Sequence, residues 1–81
     1  MFHVYVLASI SNSRIYIGMT SNLIKRLEAH NHLANKGWTK QFQPWKIVHS
    51  EIFETKKEAL IRERQLKSAQ GRLWIHQLII K

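Results

Sequence analysis

Residues 3–18 read HVYVLASISNSRIYIG, and this stretch decides the fold. Two apolar runs, HVYVLA at 3–8 and RIYIG at 14–18, flank the polar segment SISNS. Side chains of a strand alternate between its two faces, so His3, Tyr5 and Leu7 lie together, as do Arg14, Tyr16 and Gly18. Two such runs joined by a short polar turn form a β-hairpin. Tyr5 and Tyr16 share a face when paired positions sum to an odd number. Tyr5 directly opposite Tyr16 meets that condition and leaves a short loop around Ser9–Asn12. Gly18 ends the strand and turns the chain toward a helix.

Working outward, Thr20 or Ser21 caps a helix that runs to about Leu33. At about 100° per residue, Leu23, Ile24 and Leu27 form its apolar stripe. Arg26 and His30 are i, i+4 neighbours on the border, where side chains can face a cleft between helix and sheet. Lys25, Glu28, Ala29 and His32 turn outward. Residues 34–44, ANKGWTKQFQP, form a basic, aromatic-containing connection that Pro44 closes. WKIVHSEIF at 45–53 is a third strand. TKKE at 55–58 is a capping box, with Thr55 as N-cap and Glu58 at the third position. The following helix runs to about Ala69 or Gln70, where Gly71 breaks it. Residues 72–80 suit a last helix or a strand. With 81 residues and no repeats, the chain reads as one domain, 1–81.

Thirteen Lys and Arg stand against five acids, a formal charge of +8, which predicts attraction to nucleic-acid phosphates. The basic residues are spread from Arg14 to Lys81, so a folded face carries them rather than a tail. The chain has no cysteine, which removes disulfides, thiolate nucleophiles and Cys-type zinc sites. Its acids are all glutamates, with no aspartate, whereas a two-metal nuclease clamps its ions with several carboxylates. A metal-dependent chemistry here must manage with about one carboxylate. No signal-peptide pattern opens the chain, and the apolar run 73–80 is too short to span a bilayer. These features predict a soluble, cytoplasmic protein that does not enter a membrane.

Glu63 is the informative acid. Ala59, Glu63, Leu66 and Gln70 fall on one side of the second helix, so a carboxylate sits within the apolar stripe. Such a charge needs an ion or a cationic partner. Either it forms a salt bridge to an arginine under the sheet, or it is a metal ligand at the edge of a cleft. The tripeptide His30–Asn31–His32 spells HNH, but neighbouring residues of a helix point in different directions and do not share a site.

VYV at 4–6, YIG at 16–18, GMTSNLIKRLEAHN at 18–31 and PWKIVHSEIFETKKEALIRERQLK at 44–67 together resemble the GIY-YIG nuclease superfamily, in its small stand-alone bacterial branch. The resemblance covers residues 3 to about 70. It implies an α+β fold, a three-stranded antiparallel sheet flanked by helices, in agreement with the reading above. It also implies metal-dependent hydrolysis of DNA phosphodiester bonds with one Mg²⁺ or Mn²⁺. Carried over by motif, Tyr5 and Tyr16 are the tyrosines of the two tripeptides, with the first displaced by one position in VYV. Arg26 and His30 are the helix arginine and histidine, and Glu63 is the metal-binding glutamate.

In that reading Arg26 offers a planar fork to a non-bridging phosphate oxygen. Tyr5 is the general base, its pKa lowered by the cations nearby, with His30 as the alternative. Lys25, Lys36, Lys40 and Lys67 are candidates for phosphate contacts, with Trp38 as a stacking residue. Target selection, of branched or damaged DNA for instance, falls to the domain itself or to a protein partner. The competing reading is a non-catalytic nucleic-acid-binding module that keeps the nuclease fold.

Overall fold

The central strand β1 (Phe2–Ser9) is flanked by β2 (Ile15–Thr20) and β3 (Trp45–Phe53) in an antiparallel sheet of order β2-β1-β3. The structure, a computed structural model, describes residues 1–32, 34, 35 and 37–79, with Trp38 described by its backbone. β1 is covered on both faces, and Val4 to Ser9 are all buried.

Two facts set the hairpin register. Ser9 N–H donates to Arg14 O at 3.0 Å, which closes a loop of residues 10–13. That loop is held by the later connection: Ser9 Oγ donates to Phe42 O at 2.6 Å, and Ile10 N–H donates to Pro44 O at 2.9 Å. Tyr5 therefore pairs with Gly18, and Tyr16 pairs with Leu7. The expectation of Tyr5 opposite Tyr16 is corrected by a slip of two residues. Because the strand period is two, the slip leaves both tyrosines on one face.

A β-bulge between Val6 and Leu7 re-aims β3, so that Val6 pairs with His49 and Leu7 with Ile47. Each face of the sheet then has its own core. Tyr5, Leu7 and Trp45 are buried on one, with Tyr16, Ile47 and the α1 residues Leu23 and Leu27 packed against them. Val4, Val6 and Ile17 are buried on the other, with Ala59 and Leu66 of α2 and Ile75 of α3.

Helix α1 (Leu23–Asn31) is capped by Asn22, whose side-chain oxygen accepts from Lys25 N–H at 3.1 Å. Thr20 and Ser21 do not cap it. Thr20 Oγ1 instead accepts from Asn22 N–H at 3.1 Å, shaping the turn before the cap. The stripe also differs from expectation. Ile24 is 63% exposed, whereas His30 is buried. Positions 23, 27 and 30 make the i, i+4, i+7 line that meets the sheet, and Ile24 sits about 100° away from it. At the end of α1 the Asn31 side chain donates to Trp45 O at 3.0 Å and accepts from Trp45 N–H at 2.6 Å, fixing the start of β3. The expected helix end at Leu33 lies outside the described residues.

Helix α2 (Lys56–Lys67) keeps its capping box: Thr55 Oγ1 accepts from Glu58 N–H at 3.2 Å and donates to Glu58 Oε1 at 2.9 Å. It stops earlier than expected, at Ser68, whose hydroxyl donates to Gln65 O at 2.6 Å. Helix α3 (Ala69–Ile79) follows at once and settles residues 72–79 as helix. Gly71 is thus no helix breaker. A Cβ there would lie 2.6 Å from Leu66 Cα, so glycine lets the first turn of α3 press against the end of α2. No helix among the described residues is long and apolar enough to cross a membrane.

Candidate active site

The register gives Tyr5 its place. A Cβ on Gly18 would stand 2.5 Å from the Tyr5 hydroxyl, 2.7 Å from its Cζ and 3.0 Å from Tyr16 Cε1. The missing side chain is the space through which the phenol of Tyr5 crosses its neighbouring strand. Tyr5 is 1% exposed, while Tyr16, diagonally beside it with ring centroids 6.1 Å apart, is half-buried.

His30 comes down from α1 onto both rings, its centroid 4.5 Å from Tyr16 and 6.2 Å from Tyr5. Its Nε2 lies 3.3 Å from the Tyr5 hydroxyl, and its Nδ1 lies 3.3 Å from Thr39 Oγ1. The connection fixes this histidine. Asn35 Nδ2 donates to Thr39 Oγ1 at 2.7 Å, and Gln43 Nε2 donates to His30 O at 2.6 Å. Trp45 Nε1–H donates to Thr39 O at 2.8 Å, tying Thr39 back to the sheet. Burial holds the pKa of His30 below its ordinary value, and the Arg26 guanidinium adds to that effect.

Arg26, one turn before His30, is exposed and lines a cleft of about 330 Å³ together with Tyr16, Ala29, His30, Asn35, Gly37 and Thr39. Tyr5 forms its back wall through contact with Tyr16 and His30. Glu63 of α2 is not among the described residues that line this cleft, and its charge is the smallest of the influences on Tyr5.

Residues 1–75 match the GIY-YIG catalytic domain. The chain belongs to the GIY-YIG family. A UPF0213 protein of Clostridium perfringens is 42% identical over 67 residues, covering 83% of this chain and 71% of that protein. One of Bacillus velezensis is 41% identical over 63 residues, and the chain spans only 63% of its length. The solution NMR structure of a UPF0213 protein from Bacillus halodurans aligns with a TM-score of 0.55 at 25% identity, over 96% of this chain and 85% of that one. The three-stranded antiparallel sheet with its helices is the fold of that GIY-YIG neighbour.

Within this GIY-YIG domain the expected lowering of the Tyr5 pKa is reversed. Burial is the largest influence and raises it. The nearby Tyr16 raises it further, and Arg26 opposes both without overcoming them. Tyr5 keeps its proton at neutral pH. Among the described residues Glu63 forms no salt bridge to an arginine. Its side chain is 20% exposed and pairs with Lys67, itself 49% exposed, at 3.5 Å. The arginine pairing falls to another acid, Glu51, held by Arg62 Nε at 2.9 Å.

Lys25 and Lys40 are exposed, on α1 and on the 3₁₀ turn that carries Thr39. Lys36 and the Trp38 side chain lie outside the described residues. Among the described residues no group of three His, Cys, Asp or Glu side chains could hold a metal. The donors near the tyrosines are their own hydroxyls and the His30 imidazole, with Glu63 as the carboxylate from α2. A single carboxylate with hydroxyl oxygens fits Mg²⁺ or Mn²⁺, which keep several waters.

Thr39, Asn35 and Gln43 were not among the residues singled out from the sequence. Their signal was faint: polar side chains with short reach in a connection that otherwise reads as a basic linker.

Proposed function

We propose that the chain hydrolyses DNA phosphodiester bonds at the cleft between α1 and the sheet. One observation supports this above the rest: Tyr16, Arg26 and His30 converge on a single cleft, with Tyr5 directly behind them. Binding by charge alone needs no buried tyrosine held against a buried histidine.

Arg26, exposed at the cleft, takes a non-bridging phosphate oxygen through its planar fork. Glu63 would hold the divalent ion, displacing Lys67, and the bound ion supplies positive charge against the phosphoryl and leaving oxygens. The attacking water meets Tyr16, which faces the cleft. Its proton enters the hydroxyl of Tyr16 while that of Tyr16 passes to Tyr5, and that of Tyr5 passes to His30 Nε2. No free phenolate is needed along this route, which matters because a phenol with a pKa near 10 is ionised to about one part in a thousand at pH 7. A neutral His30, its Nδ1–H donated to Thr39 Oγ1, is the acceptor this requires, and its low pKa keeps it neutral.

The test is incubation of nicked, branched and linear DNA with Mg²⁺ or Mn²⁺, comparing wild type with Glu63→Ala and Arg26→Ala. Each substitution lowers cleavage by about 100-fold or more if these groups stabilise the transition state. Undiminished cleavage by both variants would refute the site. Absent cleavage, together with salt-dependent binding indifferent to Glu63→Ala, would assign the chain to the non-catalytic binding modules.

A further inference from the structure

A second basic concavity lies apart from the tyrosine cleft. A pocket of about 640 Å³ opens at the hairpin end of the sheet, lined by Asn12, Ser13, Arg14, Ile15, Arg72 and His76. Its cations come from two distant segments, the hairpin loop and α3. No acid lines it, and neither Arg14 nor Arg72 has an acidic partner among the described residues. Like charges brought together without an acid repel each other, and an anion relieves that cost.

Position gives the pocket its meaning. Arg14 immediately precedes β2 and lies on the same strand face as Tyr16, about 7 Å back along the chain. Its guanidinium stacks over Phe42 at 5.3 Å, and Phe42 packs into the same cluster as Tyr16. Arg14 thus links this pocket to the aromatic cluster against which Tyr16 packs.

We infer that this pocket is a second phosphate subsite, which takes a backbone phosphate of the nucleic acid flanking the one held at Arg26. Arg14 and Arg72 supply the charge, and the polar loop residues Asn12 and Ser13 supply neutral hydrogen bonds. The inference rests on the reading of the tyrosine cleft as the cleavage site. It goes beyond that reading by adding a phosphate contact outside the tyrosine cleft.

The experiment measures anisotropy of a labelled oligonucleotide from about 50 to 200 mM salt, without divalent ion so that cleavage does not intervene. Arg14→Gln and Arg72→Gln each weaken binding about three- to tenfold and reduce the log–log salt slope by about one, as loss of one phosphate contact requires. His76→Gln serves as a milder variant that leaves both arginines in place, and urea midpoints verify folding. Wild-type affinity and slope in both arginine variants would overturn the inference, even where Arg26→Ala and Glu63→Ala abolish cleavage. Loss of binding in the arginine variants of a chain that never cleaves would leave the subsite standing and remove the nuclease reading. A separate arm adds inorganic phosphate at matched ionic strength. Stabilisation of wild type that disappears in Arg72→Gln, while oligonucleotide affinity is unchanged in that variant, would replace nucleic acid by a small anion and overturn the assignment.

Discussion

The Tyr5 hydroxyl lies 3.3 Å from Nε2 of His30, across 25 residues of sequence, and both groups are almost fully buried. Burial holds His30 neutral, with its pKa below the ordinary 6.5, so its protonation is easier in the unfolded chain. Stability from this group is present above pH 6.5 and is lost as pH falls from there through the folded pKa. Urea midpoints should drop between pH 7 and pH 5. In His30→Gln that drop should shrink, from a midpoint already lower at pH 7.

Thr39 should act through His30. Thr39→Val leaves His30 Nδ1 and Asn35 Nδ2 without their shared oxygen, at a cost of about 1–3 kcal/mol. If the chain cleaves DNA, losing the partner that orients a site histidine should lower kcat about tenfold. It should also displace the pH–rate profile, and Thr39→Ser should restore both. An unchanged profile would leave Thr39 with a structural role alone.

Gly18→Ala places a methyl group 2.5 Å from the Tyr5 hydroxyl. The phenol must move, and overpacking of this kind costs about 1–3 kcal/mol. Denaturant midpoints measure the stability loss. Cleavage should fall by more than the unfolded fraction explains, because the hydroxyl is displaced from His30.

Glu51 anchors the opposite face. Burial pushes its carboxyl up, but hydrogen bonds from Arg62 and His49 outweigh this and hold it below the ordinary 4.5. Its contribution is present above pH 4.5 and disappears as pH falls through the folded pKa, a window more acidic than that of His30. Arg62→Ala leaves the carboxylate with only His49 and should cost about 1–2 kcal/mol at pH 7. In acid the difference between variant and wild type should narrow.

The sequence made the faces legible more readily than the pairings. Alternation placed Tyr5 and Tyr16 together whichever even slip the hairpin adopted. The register itself depends on bonds from residues 9 and 10 to residues 42 and 44, and no local pattern reports those. Apolar spacing favoured Ile24 for the α1 contact, because a hydropathy stripe does not expect a buried histidine. His30 fills that place since Tyr5 and Thr39 satisfy both its nitrogens. Thr55 and Glu58 announced the start of α2 through side chains adjacent in sequence. Its stop at Ser68 was hidden by Gly71, whose role is steric and belongs to the packing of α3. The charge near Glu63 was readable as unusual, but its partner, Lys67, was not distinguishable from a solvent-facing lysine.

The amide of Asn31 meets both backbone groups of Trp45, doing with one side chain what a neighbouring strand does with its peptides. β3 is an outer strand of the sheet, and an outer strand with open N–H and C=O groups is a template on which other chains can add. The turn of α1 that presents His30 to the tyrosines thus also seals the first rung of that edge. Asn31→Ala would leave the site residues in place and open a corner of the sheet to self-association.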